Sequence, residues 1–414
     1  MQFNQREVRI SVQGLTRGMF VSRLDRPWLD TPFPMQGLHV RTDEQLGQLK
    51  RICVHVWVDT AAGVAPDPRF IVLGDGPAVN SREMVEIRRL RKQDWQATAT
   101  VAEELPQAQL AHDTLKSSIT EVMNDLRSGE RLDLEKLQPG VKAMVDSVLR
   151  NPTAFTWLKE LKRRDDYAYQ HALGSAVWAA SFGRHLGLAR EELEDLALAG
   201  LLCDVGKTQL PVELLAQRTP LDAEQAAQVR SHVRHSMDII ERTPGISRRV
   251  AQIVATHHER HDGSGYPHGL KDTAIPIFGR ILGVVDSYDA MTCIRPYAES
   301  RSPHQAVAEL YAQRGQQFQA ELVEQFIQTC GIYPTGTLVE LSTGEVGVVV
   351  EVHSLKRLRP RIMLLLDKHK SPLPEFRELD LGAIELDGEG APLTVKCGLP
   401  VGAYGIDSKE LFLG

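Results

Sequence analysis

Histidines and acidic residues are concentrated in one stretch of this chain. Eight of its 14 histidines lie between His171 and His268, with aspartates among them. The candidate metal ligands in this stretch and shortly after it are His171, Asp204, His232, His257, His258 and Asp286. Imidazole nitrogens and carboxylate oxygens suit first-row divalent metals such as iron, manganese and zinc. The series predicts a metal site, and two neighbouring ions would suit in-line displacement at phosphorus.

Apolar helical patterns surround the two aspartates and must bring the ligands together. Asp204 ends the apolar run LEDLALAGLLCDVGK, and Asp286 lies within the apolar stretch GRILGVVDSYDAM. Because an unpaired carboxylate is costly to bury, both are stronger candidates than any single histidine, which alone would more often be a surface or core residue. Ligands from four or five helices would converge in a bundle core. Lys207 follows closely and could offset the charge of a phosphate.

The composition is that of an ordinary globular protein. The 414 residues are 42% hydrophobic and 25% charged, with a net charge of −6. This length predicts roughly two to four domains. The mild acidity argues against a dedicated nucleic-acid binder, and five cysteines cannot form a disulfide scaffold in such a chain. No secretory signal and no apolar run of roughly 18–20 residues is visible, so we expect a cytoplasmic protein without membrane insertion.

The sequence pattern of the first third of the chain predicts a small α+β domain followed by helices. Over residues 1–62, REVRISV and VHVWVD alternate as half-buried strands do, and residues 43–52 predict a short helix. Residues 63–139 predict a linker followed by charged helices, which we place at 82–104 with Ser81 as its cap, 107–126 and 132–149. Pro106 and Pro139 are expected to interrupt the helical pattern. The helix at 82–104 would be a solvated spacer, a dimerising arm or a link that transmits a signal.

The remainder predicts a helical domain followed by a β-rich one. Residues 140–332 are mostly helical in pattern, with turn signals between the helices. After Tyr333 the pattern changes, and two β-branched runs around Thr343-Gly344 predict a hairpin. RIMLLLD and later short apolar runs extend this β-rich character over residues 333–414.

Several of these motifs resemble those of one bacterial family. The stretch HHERHDGSGYPHGL, residues 257–270, resembles the signature loop of HD-GYP domains, phosphohydrolases that degrade cyclic di-GMP. Gly265, Tyr266 and Pro267 match the triplet that names the loop. IPIFGRILGVVDSYDAMTCIRPY is similar to the family's next helix and FQAELVEQFI to its closing helix. The likeness covers residues 140–332, while residues 1–62 resemble a domain of unknown function often found ahead of HD-GYP domains.

The resemblance implies a mainly α protein with a helical HD-GYP core between the α+β and β-rich parts. It implies two divalent metal ions, iron or manganese before zinc, magnesium, nickel or cobalt. It assigns all six residues of the first paragraph as ligands, with Asp204 as the bridge. It also gives Asp204 and Lys207 catalytic roles and assigns substrate binding to Lys207, Arg295, Gly265, Tyr266 and Pro267. Some members hold a third metal through a glutamate one turn before the first histidine, but Tyr167 stands there, which favours two.

One departure affects the motif from which the family takes its name. The family carries His-Asp where this chain has Cys203-Asp204. Cys203 could be a small buried residue on an apolar helix, or a thiolate that replaces the imidazole as a ligand. A third outcome is that one metal loses a ligand and binds weakly.

The resemblance implies hydrolysis of cyclic di-GMP to pGpG and onward to GMP. This activity would lower a second messenger of bacterial signalling that controls motility and biofilm formation. Two alternatives stay open: a non-catalytic cyclic di-GMP receptor with a degenerate site, and a hydrolase of another cyclic dinucleotide or nucleotide. The expected partners are cyclic di-GMP and pGpG, without a nucleic-acid polymer, and either a second copy of the chain or a signalling protein.

Overall fold

The computed structural model describes most of the chain. The described residues are 7–26, 31, 33, 37–60, 62–72, 86–87, 89–161, 167–217, 219–293, 301–352, 358–384, 386–388, 390–400 and 402–406. The chain divides into two compact units, Met1–Val79 with His353–Leu358, and Asn80–Val352 with Arg359–Gly414. None of the described helices has both the length and the apolar content needed to cross a membrane.

The first unit contains a small antiparallel sheet and one helix. Its strands are β1 (Glu7–Ser11), β2 (Phe20–Leu24), β3 (Leu38–His39) and β4 (His55–Asp59), in the order β1-β4-β2-β3. The helix α1 (Asp43–Ile52) has the predicted bounds and begins with a capping box between Thr42 and Gln45. The predicted α+β character is therefore confirmed.

Both strands are shorter than the alternating apolar stretches that predicted them. Val12 begins the short 3-10 helix Val12–Gly14 instead of continuing β1. Val54 precedes β4 and its side chain is 63% exposed, whereas Val56 and Val58 are buried. The backbone N–H groups of Val54 and His55 donate to Oδ2 of Asp25, at 2.6 and 2.9 Å. The Asp25 carboxylate therefore accepts the hydrogen bonds that strand pairing would otherwise use at the start of β4. The alternation of apolar residues does not reveal this contact.

The predicted charged helix over residues 82–104 is wrong in its second half, and its cap Ser81 lies outside the described residues. Residues 91–98 have no regular secondary structure. The backbone N–H groups of Lys92 and Gln93 both donate to the carbonyl of Gly187, and Trp95 Nε1 donates to the carbonyl of Leu188. These contacts with distant residues replace helical hydrogen bonds, so tertiary packing overrides local helix propensity.

The second unit is mainly helical, as predicted. Its described helices are α2 (Val101–Arg127), α3 (Leu134–Arg150), α4 (Pro152–Leu161), α5 (Tyr167–Leu186), α6 (Arg190–Leu202), α7 (Val212–Leu215), α8 (Ala223–Arg230), α9 (His232–Glu241), α10 (Arg248–Thr256), α11 (Ile277–Thr292), α12 (Pro303–Ala312) and α13 (Ala320–Cys330). The core packs α5 against α6 and α11, with aromatic contacts from Trp178 and Tyr288 to Phe326.

Two prolines lie within helices that they were expected to interrupt. Pro106 is inside α2 and Pro139 is inside α3. Each is the sixth residue of its helix, so its missing N–H group affects one carbonyl in the first turn. A capping box between Thr100 and Glu103 starts α2, and the Asp133 side chain caps α3. The strong N-terminal caps favour helices that continue through both prolines.

A five-stranded antiparallel sheet follows the helices, which confirms the β-rich C-terminal part. Its strands are β5 (Leu338–Leu341), β6 (Val346–Glu351), β7 (Arg361–Leu366), β8 (Pro372–Asp380) and β9 (Val395–Gly398), in the order β8-β7-β6-β5-β9. The predicted hairpin is the pair β5 and β6, which turn at Thr343-Gly344. Apolar clusters cover both faces, one around Val339 and Ile362 and another around Leu338 and Val348.

Candidate metal centre

Helix ends and the interiors of two helices carry the six predicted histidine and aspartate ligands. His171 lies in α5, Asp204 lies two residues after α6, and His232 begins α9. His257 and His258 follow the end of α10, and Asp286 lies inside α11. The turn after Asp204 is joined to α9 by Ser236, whose hydroxyl donates to the carbonyl of Cys203 and accepts from the N–H of Gly206, both at 2.9 Å.

Four of these residues form one compact ligand group. Asp204, His232, His257 and His258 each offer one ligand atom, and these four atoms lie within 4.8 Å of one another. His232 Nε2 lies 3.1 Å from Asp204 Oδ1. The side chains are buried, apart from a partly exposed His258. We call these four residues the four-ligand group.

Backbone carbonyls orient two histidines of this group. His232 Nδ1 lies 2.6 Å from the carbonyl oxygen of Val229, and His257 Nδ1 lies 2.7 Å from that of Val254. Because a carbonyl can only accept, each Nδ1 carries the donated proton. The neutral ring then has its lone pair on Nε2, which is the atom needed to bind a metal.

Several polar atoms of the four-ligand group are buried without a hydrogen bond. Among the described residues, Asp204 Oδ1, His232 Nε2 and His257 Nε2 have no hydrogen-bond partner, because the lone pair of His232 Nε2 cannot donate to Asp204 Oδ1 across their 3.1 Å separation. Buried polar atoms are normally satisfied. One divalent cation would satisfy all three, and imidazole nitrogen with carboxylate oxygen suits first-row metals. The residues present therefore fit a metal ion.

The other two predicted ligands, His171 and Asp286, lie next to the four-ligand group. His171 Nε2 is 3.1 Å from Asp286 Oδ1 and 3.4 Å from Asp204 Oδ2. Asp286 Oδ2 is 3.8 Å from His258 Nδ1. Asp204 thus contacts residues of both sets through different oxygens, an arrangement in which one carboxylate can bridge two ions.

Neighbouring groups keep both buried aspartates ionised. Burial would raise the pKa of Asp204, but the Lys207 ammonium and the neighbouring His232 and His171 hold it well below its ordinary value. Burial would likewise raise the pKa of Asp286, but its hydrogen bond with His171 helps to lower it. Lys207 Nζ donates to Asp204 Oδ2 at 2.5 Å. The turn after α6 therefore contains a cationic partner for the Asp204 carboxylate.

The adjacent histidines are held in their neutral forms. Burial lowers the pKa of His257 to about 4. Burial and the neighbouring His257 lower the pKa of His258 well below its ordinary value. Neutral imidazoles and ionised carboxylates are the protonation states that bind metals, so near neutral pH these groups are ready to act as ligands.

Cys203 lies beside Asp204 but outside the four-ligand group. Its thiol is fully buried and donates to the carbonyl of Gly200 at 3.3 Å, one turn back along the chain. Burial raises the pKa of the thiol well above its ordinary value, and the charges of Asp204 and Asp286 add to this effect. The surroundings therefore favour a protonated thiol over the thiolate that metals bind.

The predicted signature loop lies directly against the histidines. A Cβ atom on Gly265 would come within 2.3 Å of the Arg260 nitrogen and 2.5 Å of the Glu259 Cα atom, so only glycine fits. The Tyr266 ring packs on His258 with centroids 4.7 Å apart, and the Tyr266-Pro267 peptide bond is cis. The Tyr266 ring therefore lies beside the four-ligand group.

Sequence reasoning missed two buried acidic residues that support the site. Glu259 accepts from the N–H groups of His268 and Leu270, at 2.8 and 2.9 Å, and so holds the loop closed. Asp289 Oδ2 lies 2.9 Å from His171 Nδ1. The spacing of Asp289 one turn after Asp286 on an apolar helix was the available signal. Glu259 carried none, because its partners are backbone groups.

Two residues of the sequence analysis cannot be placed in the site. Arg295 lies outside the described residues. Tyr167 begins α5, but its side chain is not among those described. The roles expected for these residues, phosphate binding and the exclusion of a third metal, stay predictions.

Comparison with protein families matches three successive parts of the chain. Residues 7–137 match a domain of unknown function (DUF3391), residues 154–322 match the HD domain, and residues 338–385 match a KOW domain associated with the HD domain. The HD-domain match contains all six of the histidine and aspartate ligands described above.

Curated relatives extend this likeness over most of the chain. A cyclic di-GMP phosphodiesterase of Pseudomonas aeruginosa is 31% identical, covering 90% of this chain and 89% of that protein. A 3′3′-cGAMP-specific phosphodiesterase of Vibrio cholerae is 36% identical over 38% of this chain and 30% of its own length. A cyclic di-GMP phosphodiesterase response regulator of Xanthomonas campestris is 35% identical over 38% of this chain and 44% of its own length.

Proposed function

Because this chain belongs to the HD-GYP family of HD-domain phosphodiesterases, we propose that it hydrolyses cyclic di-GMP. The observation that carries the proposal is the four-ligand group, in which buried carboxylate and imidazole atoms lie together without hydrogen-bond partners. A site of this composition suits divalent metals, and the relative that covers most of the chain is a cyclic di-GMP phosphodiesterase.

The side chains around the cluster suit a phosphodiester substrate. A divalent metal bound there would polarise the phosphodiester and activate a water molecule for attack on phosphorus. Lys207 is partly exposed beside Asp204 and would donate to a non-bridging phosphate oxygen. Tyr266 forms a wall next to His258 and would limit how the nucleotide enters. The ionised Asp204 carboxylate contacts His232 and Lys207 and would hold both side chains in position.

The proposed reaction opens the cyclic dinucleotide in one hydrolytic step. Water supplies the oxygen that forms the new bond to phosphorus, the bond to the 3′ oxygen breaks, and that oxygen takes up a proton. The product is linear pGpG, and a second cut of the same type yields GMP. Loss of the dinucleotide would lower its level as a messenger in bacterial signalling.

We also propose two divalent ions, iron or manganese, that bind with unequal strength. The four-ligand group supplies a full set for one ion. The second ion would share Asp204 with His171 and Asp286, at the position where the family's additional histidine is replaced by Cys203. Because the Cys203 thiol donates to the Gly200 carbonyl and lies outside the four-ligand group, this second set would be one ligand short.

A second substrate follows from one specific comparison. The cGAMP-specific relative from Vibrio cholerae is 36% identical, which is higher than the 31% identity of the cyclic di-GMP relative, although over a shorter stretch. Both substrates share the cyclic backbone with two phosphodiesters and differ in one base. A site that acts on the phosphodiester would not distinguish the two cyclic dinucleotides, so 3′3′-cGAMP is the alternative substrate.

The test is an anaerobic assay of the full chain loaded with iron or manganese. Cyclic di-GMP and 3′3′-cGAMP are supplied at equal concentrations, and the products are resolved over time. We expect cyclic di-GMP to be consumed faster, with pGpG appearing before GMP. Faster loss of cGAMP would reassign the substrate. Binding of cyclic di-GMP without turnover would show a receptor and overturn the proposal.

A further inference from the structure

A carboxylate outside the ligand set is buried against the first histidine of the site. Asp289 in α11 is fully buried, and its Oδ2 accepts from His171 Nδ1 at 2.9 Å and from Cys293 Sγ at 3.1 Å. We propose that Asp289 is a positioning residue that holds His171 with Nε2 towards the metal, and that Cys293 steadies Asp289. This inference rests on the proposed metal site.

The location of His171 explains why it needs a partner from another helix. His232 and His257 lie at helix ends, where carbonyls of the preceding turn, from Val229 and Val254, accept from Nδ1. His171 lies inside α5, where the nearby carbonyls are already used by the helix. Its acceptor therefore has to come from outside, and Asp289 supplies it from a position 118 residues later in the chain.

A glycine on the facing helix makes room for this carboxylate. A Cβ atom on Gly174 would lie 2.0 Å from Asp289 Oδ1 and 2.5 Å from Asp289 Cγ. Glycine destabilises a helix interior relative to alanine, so its presence within α5 needs a packing reason. The reason here is the Asp289 side chain, which occupies the space that any side chain at position 174 would fill. Both helices are thus adapted to the same contact.

The contact fixes which nitrogen of His171 faces the site. An ionised carboxylate only accepts, so Asp289 holds a proton on His171 Nδ1. His171 Nε2, which lies 3.1 Å from Asp286 Oδ1, is then the nitrogen that would exchange its contact with Asp286 for a metal ion. A carboxylate behind an imidazole also raises its basicity as a ligand. Since His171 belongs to the set that Cys203 leaves one ligand short, this support acts where the proposed site is weakest.

The same three residues could instead bind a metal ion themselves. His171, Asp289 and Cys293 each offer a ligand atom, and these atoms lie within 4.8 Å of one another. If this trio itself bound a metal, His171 would use Nδ1 as a ligand and lose its hydrogen bond to Asp289. The observed distances of 2.9 and 3.1 Å are those of hydrogen bonds, which favours the positioning role.

The test compares Asp289→Asn, Asp289→Ala and Cys293→Ala in the full chain. Manganese affinity is measured by calorimetry on metal-stripped protein, together with the thermal midpoint of that protein. The isosteric Asn keeps an acceptor for His171 Nδ1, whereas Ala removes it. We expect Asp289→Ala to weaken the lower-affinity site by about 10- to 100-fold, Asp289→Asn to weaken it less, and Cys293→Ala to leave the number of bound ions unchanged.

Several results would overturn the inference. Wild-type affinity in both Asp289 variants, at any thermal midpoint, would show that the residue only supports the fold. Equal losses in the Asn and Ala variants would show that the acceptor for Nδ1 is not what matters. Loss of one bound ion in Cys293→Ala would identify the trio as a metal site. A wild-type chain that binds no manganese or iron would remove the proposed function together with this inference.

Discussion

Cys203 is the residue that sets this chain apart from the family pattern. Its thiol is buried, donates to the Gly200 carbonyl at 3.3 Å, and has a raised pKa because of burial and two nearby aspartates. To become a ligand it would have to lose that proton and break that hydrogen bond. Because its thiol lies outside the four-ligand group and donates to a backbone carbonyl, we propose that Cys203 leaves the site without the ligand that the family's histidine supplies.

Replacing this residue by histidine tests the unequal metal sites. We expect Cys203→His to raise the metal content of the purified full chain from one tightly bound ion towards two, because it restores an imidazole beside Asp204. Elemental analysis of anaerobically purified protein measures the content. Cys203→Ser is the matched control, since it keeps the size but offers no imidazole. An unchanged content in Cys203→His would show that this position does not limit the site.

At this scale the sequence predicts the residues that could act as ligands but not those that hold them. His232 and His257 were recognisable from residue type and spacing, and the structure brings them to Asp204. The carbonyls of Val229 and Val254 that orient them carry no sequence signal, because every residue has a carbonyl. Tertiary partners of this kind become visible only when the helices are packed.

The signature loop lies directly against the four-ligand group, with the Tyr266 ring packed on His258. Gly265 lies so close to the preceding backbone that a Cβ atom would be 2.5 Å from the His258 carbonyl oxygen. The Glu259 carboxylate closes the loop by accepting from two N–H groups beyond Pro267. The loop is therefore held in place by close backbone contacts and by one buried carboxylate.

Substitution of the loop glycine tests this account. We expect Gly265→Ala to displace the loop from the histidines and to lower kcat for cyclic di-GMP by at least about tenfold, since displacements near 1 Å can cost about 100-fold. Steady-state kinetics measure the effect. Gly47→Ala is the control, because Gly47 lies in α1 and a Cβ atom there would have no neighbouring atom within 4 Å. Wild-type kcat in Gly265→Ala would contradict the close packing.

Helices and strands could be predicted from the sequence where the local residue pattern favours the same structure as the tertiary packing. The helix over residues 43–52 and the hairpin at Thr343-Gly344 follow from capping and alternation, and both are observed. The prediction for residues 91–98 was wrong because their charged composition favours a helix, whereas contacts with Gly187 and Leu188 hold them irregular. Pro106 and Pro139 do not interrupt their helices because their position near helix starts makes them tolerable.

At the scale of the whole molecule, the predicted chemistry lies within one of the two units. All six predicted histidine and aspartate ligands fall between His171 and Asp286 in the second unit. The net charge of −6 does not suit a nucleic-acid polymer as substrate, whereas Lys207 at the cluster suits a small anionic one. The matches to a domain of unknown function and to a KOW domain flank this catalytic part.

The most direct test is cyclic di-GMP turnover by the metal-loaded Asp204→Asn variant of the full chain. Asn keeps the size of Asp204 but removes the charge that both ligand sets share, so the account predicts hydrolysis at the uncatalysed background with an unchanged circular dichroism spectrum. Turnover at the wild-type rate in a folded Asp204→Asn protein would contradict the metal-dependent mechanism.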